Sequence, residues 1–144
     1  SLSRGELAGE RLEVALNSQD QEDEHSCFSD NTHRDAVTNA KGIQNVWLGT
    51  YKRVDGSVVS GPALKDLVAT TDAALADKTT KQIAESVAAA EGIQAPFDRE
   101  ILGDKNAPGR QRIQKTIASL TQQNKDIVAS ASAVGIKKLT LVEP

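Results

Sequence analysis

Residues 22 to 37, EDEHSCFSDNTHRDAV, gather five carboxylates, both histidines and the only cysteine of the chain. Three kinds of chemistry suit those residue types. The first is metal ligation, because Asp and Glu offer hard oxygens and His a nitrogen, the mixture that iron, manganese and zinc accept. Glu22 and His25 stand three apart, so on a continuing helix they share a face, as ligand pairs of helix bundles do. His33 and Asp30 would face them from the start of the next helix, and a divalent metal or iron (Zn, Fe) is the cofactor such a set implies. No HExxH signature or tight Cys/His spacing accompanies it. An acidic helix end followed by capping residues gives the same letters.

The second chemistry is nucleophilic, with Cys27 as thiolate and His25 or His33 as its base. Between Ser26 and Phe28, however, a cysteine also serves as a small apolar filler. The third is anion binding at a helix start near residue 31, where free N–H groups and Thr32, His33 and Arg34 would receive a carboxylate or phosphate. Asp30 and Asp35 oppose an anion there. A purely structural corner, with Arg34 paired to Asp23 or Glu24, accounts for the same residues.

The elements that must position this segment read as helices. Ala8, Leu12, Ala15 and Leu16 recur at helical spacing, which predicts a helix from about Arg4 to about Gln21, with Leu7 and Val14 on its far side. A second helix opens with Asp30 or Asn31 as N-cap and carries Ala36, Ala40, Ile43, Trp47 and Tyr51 inward. His33 falls on the same face in the first turn, and Gly42 is expected to mark a close approach of another helix. Asp55-Gly56 is a turn signal, with a short hairpin or a surface loop around Val54, Val58 and Val59. Pro62 suits the first position of a short helix bearing Leu64, Leu67 and Val68.

Asp72 reads as the cap of a helix carrying Ala76, Thr79, Ile83, Val87 and Ala90 up to Gly92. A connector follows that packs through Phe97 and Ile101. The last helix opens near Pro108 and sets Ile113, Ile117, Leu120, Asn124, Ile127, Ala131 and Val134 at steps of four and three, a bundle seam with Asn124 inside it. GIKKLTLVEP closes the chain as a short extended tail. The fold class is all-α, a helical bundle, and residues 1–144 form one domain.

Composition narrows the partners. A net charge of -3 with no Lys/Arg cluster lacks the footprint of a nucleic-acid binder, and the apolar runs fall short of the roughly 20 residues of a transmembrane segment. Only 38% of residues are hydrophobic and 3% aromatic, while nineteen are Ala, so the core is thin. That suggests one part of a larger body. The start SLSRGEL, without Met or a basic-then-apolar leader, fits a removed leader or a trimmed chain.

LAGERLEVAL through QDQEDEHSCFSDNTHRDAVTNAKGIQNVWLGTY, together with SGPALKDLV, PFDREILG and APGRQRIQKTIASL, resembles the imelysin family, in its iron-regulated protein A branch. The resemblance implies an exported bacterial protein, periplasmic or anchored at the outer membrane or cell surface, built of two helical bundles with its site at their junction. It also implies a role in iron supply, or a peptidase activity, and a GxHxxE motif as the metal-binding feature. That motif is absent, since Ser-Cys-Phe follows His25 and Arg-Asp-Ala follows His33. The match is therefore to the family's C-terminal part, with the N-terminal half of the same protein as the expected partner. Carried over by position, Ser29, Asp30, Asn31, Thr32, His33, Arg34 and Asp35 would line the junction. His33, Asp30 and Asp35 would then be the leading ligands of a metal or iron complex, with Thr32 and Arg34 orienting them and Glu22 and His25 secondary. A plain interaction module is the remaining reading.

Overall fold

The computed structural model describes residues 2–138, so the proposed tail from Leu139 to Pro144 lies outside the described residues. The chain opens with a π-helix, Leu2–Glu13, that runs into the α-helix α1, Val14–Ser18. The wider i→i+5 winding redraws the faces expected of an ordinary helix. Ser3, then Leu7 and Ala8, then Leu12 recur at steps of four and five and are all buried, whereas Val14 is exposed. The expected second buried face is thus one face, because the wider turn swings Leu7 beside Leu12.

Gln19 at φ 57° stops this helix short of the expected Gln21. A 3₁₀ turn, Gln21–Asp23, and irregular chain then lead to α2, Thr32–Leu48. Asn31 occupies the cap position of α2 without a side-chain hydrogen bond, and Asp30 sits at φ 48°, so neither predicted cap uses its carboxylate or amide for that purpose. Gly49, at φ 61°, ends α2. A Cβ there would fall 2.6 Å from the Gly61 carbonyl oxygen, so the turn admits only glycine.

Tyr51 continues into β1, Thr50–Lys52, which pairs antiparallel with β2, Val58–Ser60, in the register Tyr51 opposite Val59. Tyr51 is therefore exposed instead of extending the α2 stripe. The hairpin forms as one of the two alternatives, with Val54 fully exposed at its tip. α3, Leu64–Ala69, is capped at Ala63, one residue after Pro62, because Pro62 stands in the extended lead-in. Asp72 does cap α4, Ala73–Glu91, its carboxylate accepting the Leu75 N–H at 2.9 Å.

α5, Phe97–Glu100, is a single turn, and α6, Pro108–Ala133, begins with proline in its first turn as expected. α4 and α6 pack along each other; α2 lies on α4, and the π-helix on α6. The larger apolar core joins Leu7, Leu12, Leu16, Val37, Val87, Phe97, Ile101, Ile113 and Leu120. A smaller one gathers Trp47, Val68, Ala76 and Ile83.

Between the helices runs a layer of small polar groups. Thr79 and Ser130 hydroxyls meet at 3.0 Å, Ser86 and Ser119 at 2.9 Å, and Lys78 reaches Asp126 at 2.8 Å. Gln123, fully buried, donates to Ser3 Oγ at 2.8 Å. The buried polar position of the α6 seam is therefore Gln123, with Asn124 only half-buried beside it. Gly42 also departs from expectation: a Cβ there would meet nothing within 4 Å, so no helix approaches it.

Candidate functional site

The corner between α1 and α2 is built from short-range hydrogen bonds that the left-handed Gln19 sets in motion. Asp20 Oδ1 accepts the Glu22 N–H at 3.0 Å, which holds the 3₁₀ turn. Gln21 Nε2 then donates to Cys27 O at 3.1 Å and to Asp30 Oδ1 at 2.7 Å, closing the loop from within. Ser26 N–H donates to Thr32 Oγ1 at 3.0 Å, and the Ser26 hydroxyl donates to Asp35 Oδ2. Ser29 folds back, its N–H on Ser26 O at 3.1 Å.

The same corner is fastened to the far end of the chain. Gln19 makes a two-way clasp with Gly103, its amide donating to the Gly103 carbonyl at 3.2 Å and its oxygen accepting the Gly103 N–H at 3.1 Å. Arg110, buried at the start of α6, donates to Leu16 O at 2.6 Å and Ile101 O at 2.5 Å, placing positive charge on the carbonyl ends of α1 and α5. Glu100 and Arg112 form a bidentate pair at 2.8 and 2.6 Å, and Glu100 also accepts the Gln94 N–H at 3.2 Å. Those donors hold the Glu100 carboxyl below the usual range, with the Arg112 hydrogen bonds the largest cause. These ties bring α5 under the corner.

The predicted ligands do not assemble as a set. Among the described residues no three His, Cys, Asp or Glu side chains converge as a metal would require. Glu22 and His25 are exposed, since the helix that would have aligned them ends at Ser18. Asp30 is exposed and held by Gln21; Asp35 is half-buried and held by Ser26. His33 is half-buried with a sheltered Nδ1 that has no hydrogen-bond partner. Ser29, Asn31 and Arg34 face water, and Arg34 forms no ion pair among the described residues. Cys27 carries a free, half-buried thiol, and neither histidine hydrogen-bonds to it.

The segment's unusual residue is one that spacing did not single out. Glu24 is only 5% exposed, and both its carboxylate oxygens are sheltered without a hydrogen-bond partner. Burial pushes its carboxyl above the ordinary value; the Thr32 hydroxyl draws it back in part without the geometry of a hydrogen bond, and the charges of Asp98 and Asp30 push it further up. Asp98, on α5, has one sheltered oxygen in the same condition. In the letters EDE nothing distinguishes Glu24 from its neighbours. Only the 3₁₀ turn, which sends Glu22 and Asp23 outward and Glu24 inward, does so.

This is a helical bundle with one polar corner at which a carboxylate lies inside without a partner. The imelysin family model matches residues 1–127, and the chain belongs to the imelysin family. Among the curated proteins none matches it. No described helix is long and apolar enough to cross a membrane.

Proposed function

We propose that this chain is the binding domain of an exported imelysin-like protein, and that its polar corner captures a metal ion or an iron complex. The observation that carries this reading is Glu24, a carboxylate only 5% exposed whose two oxygens make no hydrogen bond, with the Thr32 hydroxyl as the one donor acting on it and no cation beside it. A charge in that position is costly unless something pairs with it. Buried charges are ordinarily paired or coordinate metals. The sheltered Nδ1 of His33 and the carboxylate of Asp30 flank the same corner, the first without a partner of its own.

The corner is one side of a binding surface, completed by the N-terminal half of the protein. A peptidase reading requires a bound metal, an activated water and a carboxylate base in reach of one another, and the described residues assemble no such set. Capture is the reading that the unpartnered Glu24 carboxylate favours. Calorimetric titration of the full-length protein with Fe²⁺, Mn²⁺ and Zn²⁺ tests it. Saturable heat that a chelator abolishes is expected, and silence with all three ions refutes it.

A further inference from the structure

We infer that the C-terminal half of α2 walls a binding site for a single-chain anionic amphiphile, a medium-chain fatty acid. Its hydrocarbon tail fills an apolar cavity, and its carboxylate meets Lys137 and Lys138 at the mouth. The site stands apart from the polar corner, which sits at the other end of α2 and carries the capture reading. The cavity holds about 380 Å³, within the range of small-molecule pockets, roughly 300–1,000 Å³. Trp47 of α2, Val68 of α3 and Ile83 of α4 line it and are buried, so they form the floor. Leu2, Val46, Leu64, Leu67 and Ile136 line it and are exposed, so they form the mouth. Gly42 keeps the α2 wall hollow: glycine inside a helix costs stability, yet a Cβ there would meet nothing within 4 Å.

The lining selects the body of the ligand. No described lining residue carries a charge, and its two polar side chains are spent. Trp47 Nε1 donates to Thr80 Oγ1 at 2.8 Å, and Ser130 Oγ meets Thr79 Oγ1 at 3.0 Å. A ligand with polar atoms along its length would lose water here without compensation. A saturated chain loses nothing and gains burial.

The mouth selects the head group. α6 ends with Gly135 at φ 90° and the Ile136 N–H on Ala131 O at 3.0 Å, a cap that turns Ile136 onto the cavity. Lys137 and Lys138 follow directly, both exposed and outside every ion pair among the described residues. Of the acids next to lining residues in sequence, Asp66 lies 4.0 Å from Lys65 and Asp126 is held by Lys78 at 2.8 Å. The uncompensated charge at the mouth is therefore positive. An apolar side chain from a second copy, or from another part of the protein, would fill the hollow but leave these lysines unanswered.

Calorimetry of the full-length protein, purified without detergent and stripped of lipid, tests this with dodecanoate, butyrate and dodecyltrimethylammonium, each kept below micelle formation. Saturable binding of dodecanoate is expected, with butyrate silent and the cationic chain weaker. Gly42→Leu fills the hollow and should weaken dodecanoate binding by about tenfold or more. Lys137→Gln with Lys138→Gln should weaken it by about two- to fivefold and leave the cationic chain no weaker. A thermal melt confirms that Gly42→Leu folds; the lysine variant, changed only at exposed residues, keeps the test decisive should it not. Silence with dodecanoate, unchanged affinity in a folded variant of either kind, or equal affinity for the cationic chain overturns the site. So does a dimer, seen by sedimentation, that Gly42→Leu dissolves.

Discussion

Glu24→Gln in metal-free buffer should make the protein more stable at neutral pH, and the gain should vanish on acidification. The wild-type carboxyl titrates above its ordinary value of 4.5 because burial, with help from Asp98 and Asp30, disfavours the charged form. Well below 4.5 the group is protonated in both folded and unfolded chains, and its ionisation costs nothing. As pH rises through the folded value, the folded chain must give up a proton it holds more tightly than the unfolded chain does. Stability associated with the protonated form is then lost. The carboxamide does not titrate, so the difference between variant and wild type should be smallest at low pH and reach a plateau above the folded pKa.

The size follows from the unpartnered oxygens. A sheltered acceptor without a donor costs about 1–3 kcal/mol, and Glu24 has two. The amide keeps one of these acceptors but removes the buried charge and its repulsion from Asp98 and Asp30, so a net gain of about 1 kcal/mol is expected. For a chain of this length that corresponds to roughly 2–8 °C in Tm. Urea melts of both proteins at a series of pH values, with EDTA throughout, give the difference directly. Subtraction removes Glu100 and Asp55, whose carboxyls are held low by hydrogen bonds and whose stabilising effect fades at acid pH in both proteins alike. A variant less stable than wild type at pH 7, with a difference independent of pH, would show that Glu24 has a partner or water the reasoning denies.

Two further outcomes bear on the frame that carries the corner. Gly42→Ala should raise stability by about 0.5–1 kcal/mol in a denaturant melt, because glycine inside α2 costs helix propensity and the added methyl meets nothing within 4 Å; a loss would mean that another surface packs there. Arg112→Ala should cost about 1–3 kcal/mol at neutral pH, since it strips two hydrogen bonds from the nearly buried Glu100. That deficit should shrink as pH falls through the lowered pKa of Glu100.

The helical order and most of the inward stripes were legible in the sequence because α4 and α6 keep ordinary periodicity. Ala76, Thr79, Ile83, Val87 and Ala90 are all buried, and the Asp72 cap is made by its own side chain. The π-helix was not legible, since its repeat of four and five overlaps an α-helical reading of Ala8, Leu12 and Leu16. The departure that mattered functionally came at Gln19, the residue directly after α1. Because Gln19 turns left-handed, the acidic run leaves the helix before Glu22, and the expected alignment of Glu22 with His25 is lost. A residue's side-chain direction in a 3₁₀ turn and the loop after it depends on backbone angles that no hydrophobic period encodes. Asp98 was equally hidden, for its relevance comes only from α5 being drawn under the corner by Arg110 and by the Gln19–Gly103 clasp.

The distribution of satisfied and unsatisfied groups separates a structural corner from a binding one. A polar elbow that only joins two helices has its acids in water or in internal hydrogen bonds, and Asp20, Asp30 and Asp35 behave in that way. Had Glu24 been one more capping residue, its oxygens would meet backbone N–H groups, as those of Asp20 and Asp72 do. Had it been one more solvated acid, it would stand outside with Glu22 and Asp23. It does neither, although Thr32 and the α2 N-terminus lie beside it. The fold satisfies Glu100 with three donors a short distance away. Single orphaned atoms also occur on Asp98, Arg110, Gln123 and Asp126, but Glu24 is the one carboxylate among the described residues with both oxygens sheltered and without a hydrogen-bond partner. Two orphaned oxygens on one carboxylate argue for a ligand at Glu24 over general looseness of the corner.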